Sequence, residues 1–315
     1  MKIVLLHSGG LDSTLALYIA KEWGAETFPL YVYSKFLSLK QHPEIPGLKI
    51  VDVTKEFIEI IRSPQHGYGK NLNPCIDCRI LMLKQAKKYM KDIKADFIVT
   101  GEVLDQRPMS QRFEQLMLID QKADLEGLIV RPLSGGLLPE TIPEKKGLIN
   151  RNDLLSIKGR SRKISLDLAQ QMNIDKFASP SGGCLLTDPG FCRRLADIMR
   201  YQEKVDVRDI ELLKTGRHFR LSPETKLIVG RNEEENEKLE QLKKSGETLI
   251  YVPDTGSPNA LLMGTSPMEI AASITARYSD RKDDDSIEVY CKKNKSIKKI
   301  KVKAATNEEL AKWRI

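Results

Sequence analysis

Two groups of residues in this 315-residue chain have the types and spacing to do chemistry. The first is Ser8-Gly9-Gly10-Leu11-Asp12-Ser13, directly after the apolar run Ile3-Val4-Leu5-Leu6. Glycines let the backbone approach a polyanion closely, and an opening helix supplies unpaired N–H groups with partial positive charge. Ser8 and Ser13 add hydroxyl donors, and Asp12 can cap the helix or hold a metal ion bound to phosphates. The common Gly-x-x-x-x-Gly-Lys-Ser/Thr loop is absent, so this reads as a phosphate cradle of another kind. The plainer alternative is an ordinary glycine turn between strand and helix.

The second group is thiols. Asn73-Pro74-Cys75-Ile76-Asp77-Cys78 puts two cysteines three residues apart where a loop enters a helix. A helix N-terminus lowers thiol pKa values, so both are expected as available thiolates. A Cys-x-x-Cys pair serves as a redox couple, half a zinc site or half an iron–sulfur site; it can also be two small buried hydrophobes. No second Cys-x-x-Cys completes a zinc site, but Cys184 stands in a Gly-Gly turn, with Cys192 and Cys291 further on. Three cysteines with an open coordination position would suit a cluster that binds a substrate atom. His7 precedes the phosphate loop and reads as packing; His42, His66 and His218 have no metal-ligand spacing.

These residues need elements to position them. Apolar strands are expected at 3–6, 27–33, 48–53, 96–100 and 128–133, and helices from 11 and over 54–62, 79–92 and 151–172. Short apolar strands alternating with helices give an α/β fold, a doubly wound, mostly parallel sheet. Ligands bind at the carboxyl ends of such strands, where Ser8, residues 34–36, Gly101 and Arg131 fall, so four loops can converge on one nucleotide. After a helix starting at Asp188-Pro189, shorter strands dominate. The expected domains are residues 1–205 and a smaller C-terminal α+β domain, 206–315. Between Val289 and Asn307 there are seven lysines and no acidic residue, around a hairpin at Asn294-Lys295. That ribbon is either a protected strand edge or an RNA-contacting surface.

The order of Ser8–Ser13, Asn73–Cys78, Thr100-Gly101-Glu102 and Ser181-Gly182-Gly183-Cys184 resembles the tRNA thiouridine synthases of the PP-loop ATP pyrophosphatase superfamily, nearest the 2-thiouridine branch. The resemblance covers roughly residues 1–200. Segment 215–264, with Lys226-Leu227-Ile228-Val229-Gly230-Arg231-Asn232 and Thr255-Gly256-Ser257, is similar to the RNA-binding domain of the NFACT family. The first resemblance implies an adenine nucleotide alpha hydrolase-like fold and an enzyme in which ATP adenylates a uridine carbonyl oxygen and sulfur then displaces AMP. Ser8, Gly9, Gly10, Asp12 and Ser13 would hold the ATP phosphates with Mg2+, and Gly101 would support the nucleotide. Cys78 and Cys184 match the family's catalytic pair, with Asp12 as the third catalytic residue, and Cys75 supplies a further thiolate. Either a persulfide on Cys184 attacks and Cys78 resolves it, or Cys75, Cys78 and Cys184 hold a [4Fe-4S] cluster; the complete triad favours the cluster. The partners implied are tRNA and a sulfur donor, sulfide or a persulfide carrier, with a homodimer left open. The usual Thr-Gly-His is Thr100-Gly101-Glu102 here, followed by Gln106-Arg107-Pro108-Met109-Ser110-Gln111. Arg160, Arg162, Arg193 and Arg194 are candidates for RNA phosphate contacts.

Composition bounds the rest. A formal net charge of +8 with pI near 9.1 suits a polyanionic partner. An odd number of cysteines argues against a secreted disulfide framework. No apolar stretch is long enough to span a membrane, and no signal-peptide pattern opens the chain, so a cytoplasmic location is expected. Two other functions compete: a PP-loop ligase acting on a small molecule, and a non-catalytic RNA-binding protein that carries metal and nucleotide. The ligase accounts for the loop but not for the cysteines or the basic tail.

Overall fold

The computed structural model describes residues 1–37, 45–177, 183–264 and 267–315. The chain divides into two compact units, Met1–Thr187 and Asp188–Ile315.

In the first unit the elements run β1 (Lys2–Leu6), α1 (Leu11–Glu22), β2 (Glu26–Tyr33), β3 (Lys49–Asp52), α2 (Thr54–Arg62), α3 (Cys75–Asp92), β4 (Phe97–Thr100), α4 (Phe113–Lys122), β5 (Ile129–Val130), α5 (Ile142–Lys145) and α6 (Lys163–Gln171). The strands form one five-stranded parallel sheet in the order β3-β2-β1-β4-β5. Alternation along β1 explains the two layers. Val4 and Leu6 join β2 and β4 residues under α3 and α4, while Ile3 and Leu5 pack with Ala16 and Ala20 of α1. Strand order reverses at β1, and the crevice between the ends of β1 and β4 is where such sheets take ligands.

Several expected elements differ. Residues 128–133 hold only the two-residue β5, because Arg131 turns into a buried ion-pair network. The helix expected over 151–172 is a 3-10 turn, Arg151–Asp153, followed by irregular chain and α6; Gly159 with φ +88 interrupts it. Leu185 and Leu186, just after Cys184, lie in the 3-10 turn Leu185–Thr187.

The second unit runs α7 (Pro189–Tyr201), α8 (Val207–Leu213), β6 (Arg217–Ser222), β7 (Thr225–Val229), α9 (Glu233–Leu242), β8 (Thr248–Tyr251), β9 (Ala260–Met263), α10 (Met268–Ala276), β10 (Ile287–Lys293), β11 (Ser296–Val302) and α11 (Asn307–Trp313). Its six-stranded antiparallel sheet has the order β11-β10-β8-β9-β7-β6. The compact units meet at 187/188, not at the 205/206 boundary read from the sequence. The reason is α7, whose Asp197 pairs with Arg220 at 2.7 Å and Lys226 at 3.1 Å in the second unit. The lysine ribbon is the β10–β11 hairpin, turned at Asn294 with φ +52, and β11 is a sheet edge. Among the described residues no helix is long and apolar enough to cross a membrane.

Candidate active site

The glycine loop leaves β1 at His7 and enters α1 at Leu11. Gly9 takes φ +77, a left-handed turn that favours glycine. Gly10 caps α1 and has no side chain to satisfy the first-turn N–H groups, so that end of the helix has no side-chain cap. Ser13 Oγ and Thr14 Oγ1 both donate to the Gly10 carbonyl, at 2.9 and 3.0 Å, and Ser8 N–H donates to Ser13 Oγ at 3.2 Å. These bonds fix the loop around its own backbone. His7 is buried, and burial lowers its pKa despite a 3.3 Å contact with the Ser13 carbonyl, so it sits there neutral.

Asp12 is not the helix cap. It lies in the first turn, accepts a hydrogen bond from Gln106 Nε2 at 3.1 Å on Oδ2, and keeps Oδ1 buried with no hydrogen-bond partner among the described residues. Gly101 at the end of β4 meets this turn edge-on. A Cβ there would stand 2.5 Å from the Asp12 carbonyl carbon and oxygen and 2.6 Å from Ser13 N. Its role is close packing that holds the loop.

The thiols gather on the same unit. Cys75 opens α3 and Cys78 lies one turn in, its N–H donating to the Pro74 carbonyl at 2.9 Å. Cys184 pairs with Leu37 in an isolated bridge, and Leu185 N–H donates to the Phe36 carbonyl at 2.9 Å. Asn71, just before α3, donates to the Thr187 carbonyl at 2.9 Å and ties that segment to the Cys75 side. Cys184 and Cys75 are both close enough to act electrostatically on Cys78. Burial pushes the Cys78 thiol up to about 12; Arg79 opposes this, and the two neighbouring thiols add to it. Cys75 is also raised by burial, against Arg107 and Arg79. The low thiol pKa expected from the helix start is therefore corrected: desolvation outweighs the helix end. Among the described residues no three His, Cys, Asp or Glu side chains are grouped to hold a metal ion. Cys192 and Cys291 are buried in the second unit. Ser181, Gly182 and His42 lie outside the described residues.

Sequence reasoning missed the supports. Glu102 is buried, 3.0 Å from Arg131 Nε and 3.5 Å from Arg79 Nε, and Arg131 clasps Asp120 through two bonds of 2.6 and 2.8 Å. Burial alone would raise the Glu102 pKa; Arg131 and Arg79 reverse this and hold it below the usual carboxylate range. Arg131, expected among the nucleotide loops, is thus committed to this network, which positions Arg79 next to Cys78. Asp77 accepts from His66 N–H at 3.0 Å and contacts His66 Nδ1 at 2.8 Å, closing the loop before α3. Arg107 is exposed and pairs with no carboxylate among the described residues, yet it stands within electrostatic reach of Asp12, Cys75, Arg79 and Arg162. An unpaired guanidinium beside two others is a signal visible only in three dimensions. Arg194, a sequence candidate for phosphate contact, instead donates to the Leu213 carbonyl at 2.9 Å.

The glycine loop between β1 and α1 lies at the switch point of this parallel α/β sheet, the place where such sheets take ligands. In comparison with known proteins, residues 1–142 match the family described as "Thiamine biosynthesis protein (ThiI)", and residues 216–314 match "NFACT protein RNA binding domain". A probable tRNA sulfurtransferase of Thermococcus kodakarensis is 31% identical over 144 residues, 42% of this chain and 37% of that protein. A tRNA-specific 2-thiouridylase MnmA of Petrotoga mobilis is 23% identical over 247 residues, 69% of this chain and 64% of that protein. Among solved structures, a 4-thiouridine synthetase–RNA complex with bound ATP is 19% identical and covers 68% of this chain and 52% of that one, at a TM-score of 0.37. The chain spans little more than a third of the length of the first of these curated relatives.

Proposed function

We propose that this chain is an ATP-dependent tRNA sulfurtransferase that replaces a uridine carbonyl oxygen with sulfur. What supports this most is that one unit carries the phosphate loop and three thiols, with Arg107 in reach of Asp12 and Cys75. The triphosphate lies over the first-turn N–H groups of α1, helped by Ser8, Gly9, Gly10 and Ser13. Asp12 Oδ1, buried and unpartnered among the described residues, suits a Mg2+ ion on the phosphates. Gly101 keeps that turn in place.

The uridine oxygen attacks the α-phosphorus, and the bond to pyrophosphate breaks. Sulfur then bonds to the same ring carbon, and the C–O bond breaks as AMP leaves with the oxygen. Adenylation turns a poor oxide leaving group into a good one. Cys184 and Cys78 handle the sulfur. Cys75 is the third thiol of this unit, with Arg79 and Arg107 in electrostatic reach. The three are not grouped as metal ligands among the described residues, so they would have to draw together to hold a [4Fe-4S] cluster. Such a cluster would supply an iron with an open position for sulfide. The sulfur donor is sulfide or a persulfide carrier, and the work belongs in the cytoplasm.

The test is an anaerobic incubation of the full chain with ATP, sulfide and unmodified tRNA, followed by nucleoside mass analysis. Wild type gives AMP and thiouridine together, Asp12→Asn gives neither, and Cys184→Ala gives AMP alone. AMP formation that does not need RNA would favour the small-molecule ligase. RNA binding without AMP would favour a non-catalytic protein.

A further inference from the structure

The second unit's sheet is not covered evenly. One face is packed by α10 and α11 against Ile250, Val252, Ile287, Val289 and Cys291. The other is closed over β6, β7 and β9 by α7, α8 and α9, with Ile228, Leu261 and Met263 packed and Asp197 of α7 pairing with Arg220 and Lys226. Side chains alternate along a strand, so the residues between the packed ones on β8 and β10 face that second side. Tyr251 and Tyr290 are directly opposite one another there, ring centroids 5.8 Å apart and tilted by 57°. Lys299 of the edge strand stands opposite Tyr290, its Nζ 4.7 Å from the ring centroid. Lys292 and Lys301 share this face and are exposed, with Glu288 as the carboxylate among them, 3.9 Å from Lys299. A shallow groove of about 550 Å³ opens beside the rings, with Asn259, Thr255 and Asp254 in its lining.

Half-buried aromatic rings on an open sheet face, bordered by lysines, are what single-stranded nucleic acid needs: planes for bases and cations for phosphates. A duplex offers its bases stacked on one another and has no free base face for these rings. A plain protective edge would need the lysines but not the tyrosines or the groove.

We propose that this strip binds unpaired RNA, one base stacked on each of Tyr251 and Tyr290, the adjoining phosphates on Lys292, Lys299 and Lys301, and base edges on Asn259 and Thr255. This deepens the RNA-modifying reading and rests on it. The strip would take a loop or a single-stranded end of the substrate and leave paired stems to other contacts.

The experiment is fluorescence anisotropy with the full chain, a labelled 12-nucleotide single-stranded RNA, and the same sequence paired with its complement, over a salt series. Wild type should prefer the single strand. Tyr251→Ala and Tyr290→Ala should each weaken it about 5- to 100-fold with little change in salt slope, and Tyr290→Trp should restore binding. Lys299→Ala should weaken binding and flatten the slope by about 0.7. Unchanged affinity in both alanine variants, as for a strip that serves a protein partner, overturns the proposal while leaving the enzymatic reading intact. A preference for duplex does the same. No RNA binding by wild type overturns both.

Discussion

Replacing Gly101 with alanine adds one methyl group where the end of β4 meets the first turn of α1. That carbon would stand 2.5 Å from the Asp12 carbonyl group, whereas ordinary contact begins at 3.4 Å. The neighbour is backbone, so no side chain can swing aside, and the helix start must retreat by nearly 1 Å. Overpacking of this kind costs about 1–3 kcal/mol, or roughly 2–10 °C in the melting temperature of a unit this size. The chemical effect should be larger than the thermal one. A displacement of about 1 Å in a positioning group can cost on the order of 100-fold in rate. Gly10→Ala is the control for stability: Gly10 has extended backbone, φ −80 and ψ 163, and its added Cβ would meet only Ser8 Oγ at 3.5 Å. The assay is thermal unfolding together with RNA-dependent AMP release from ATP. Gly101→Ala should lose both stability and AMP release, while Gly10→Ala keeps its melting temperature. A Gly101→Ala protein with wild-type melting and wild-type AMP release would refute the close-packing argument.

Other expectations concern the supports. Glu102→Gln removes one partner from a buried ion-pair network and should destabilise the first unit by about 3–5 kcal/mol, read by chemical unfolding. Because the folded pKa of Glu102 lies below its ordinary 4.5, its contribution is present above that pH and is lost as pH falls through the lower folded value. The wild-type stability profile should therefore drop below about pH 4.5, and that part of the drop should be smaller in Glu102→Gln. Asp77→Ala removes both bonds to His66 and should cost about 1–3 kcal/mol, with faster amide exchange at residues 66–74. Iron and sulfide analysis of anaerobically purified protein should give a cluster in wild type that is lost in Cys184→Ala; zinc, or no metal, would move the chemistry to a cysteine persulfide.

The glycine loop was legible in the sequence because its geometry is local: an apolar strand, two glycines and a helix start within a dozen residues. The parallel sheet was legible for the same reason, from short apolar runs such as Ile3–Leu6 and Phe97–Thr100. Gly101 could be placed at a strand end, but not against the Asp12 peptide, since that contact joins residues distant in the chain. Arg131 misled because a charged residue after an apolar run reads as a loop facing ligand. Only the fold brings Glu102 and Asp120 to it. The thiols misled on pKa, because a helix start is visible in sequence and burial is not. In the second unit α8, α10 and α11 were missed: each is short, and their packing on the sheet outweighs weak local signals.

The most direct test of the central claim follows the oxygen atom. RNA carrying 18O at the uridine carbonyls is incubated with ATP, sulfide and the full chain, and the AMP is weighed by mass spectrometry. If the carbonyl is adenylated and displaced, AMP gains one 18O for each sulfur that enters the RNA. Unlabelled AMP alongside sulfur incorporation would contradict the account.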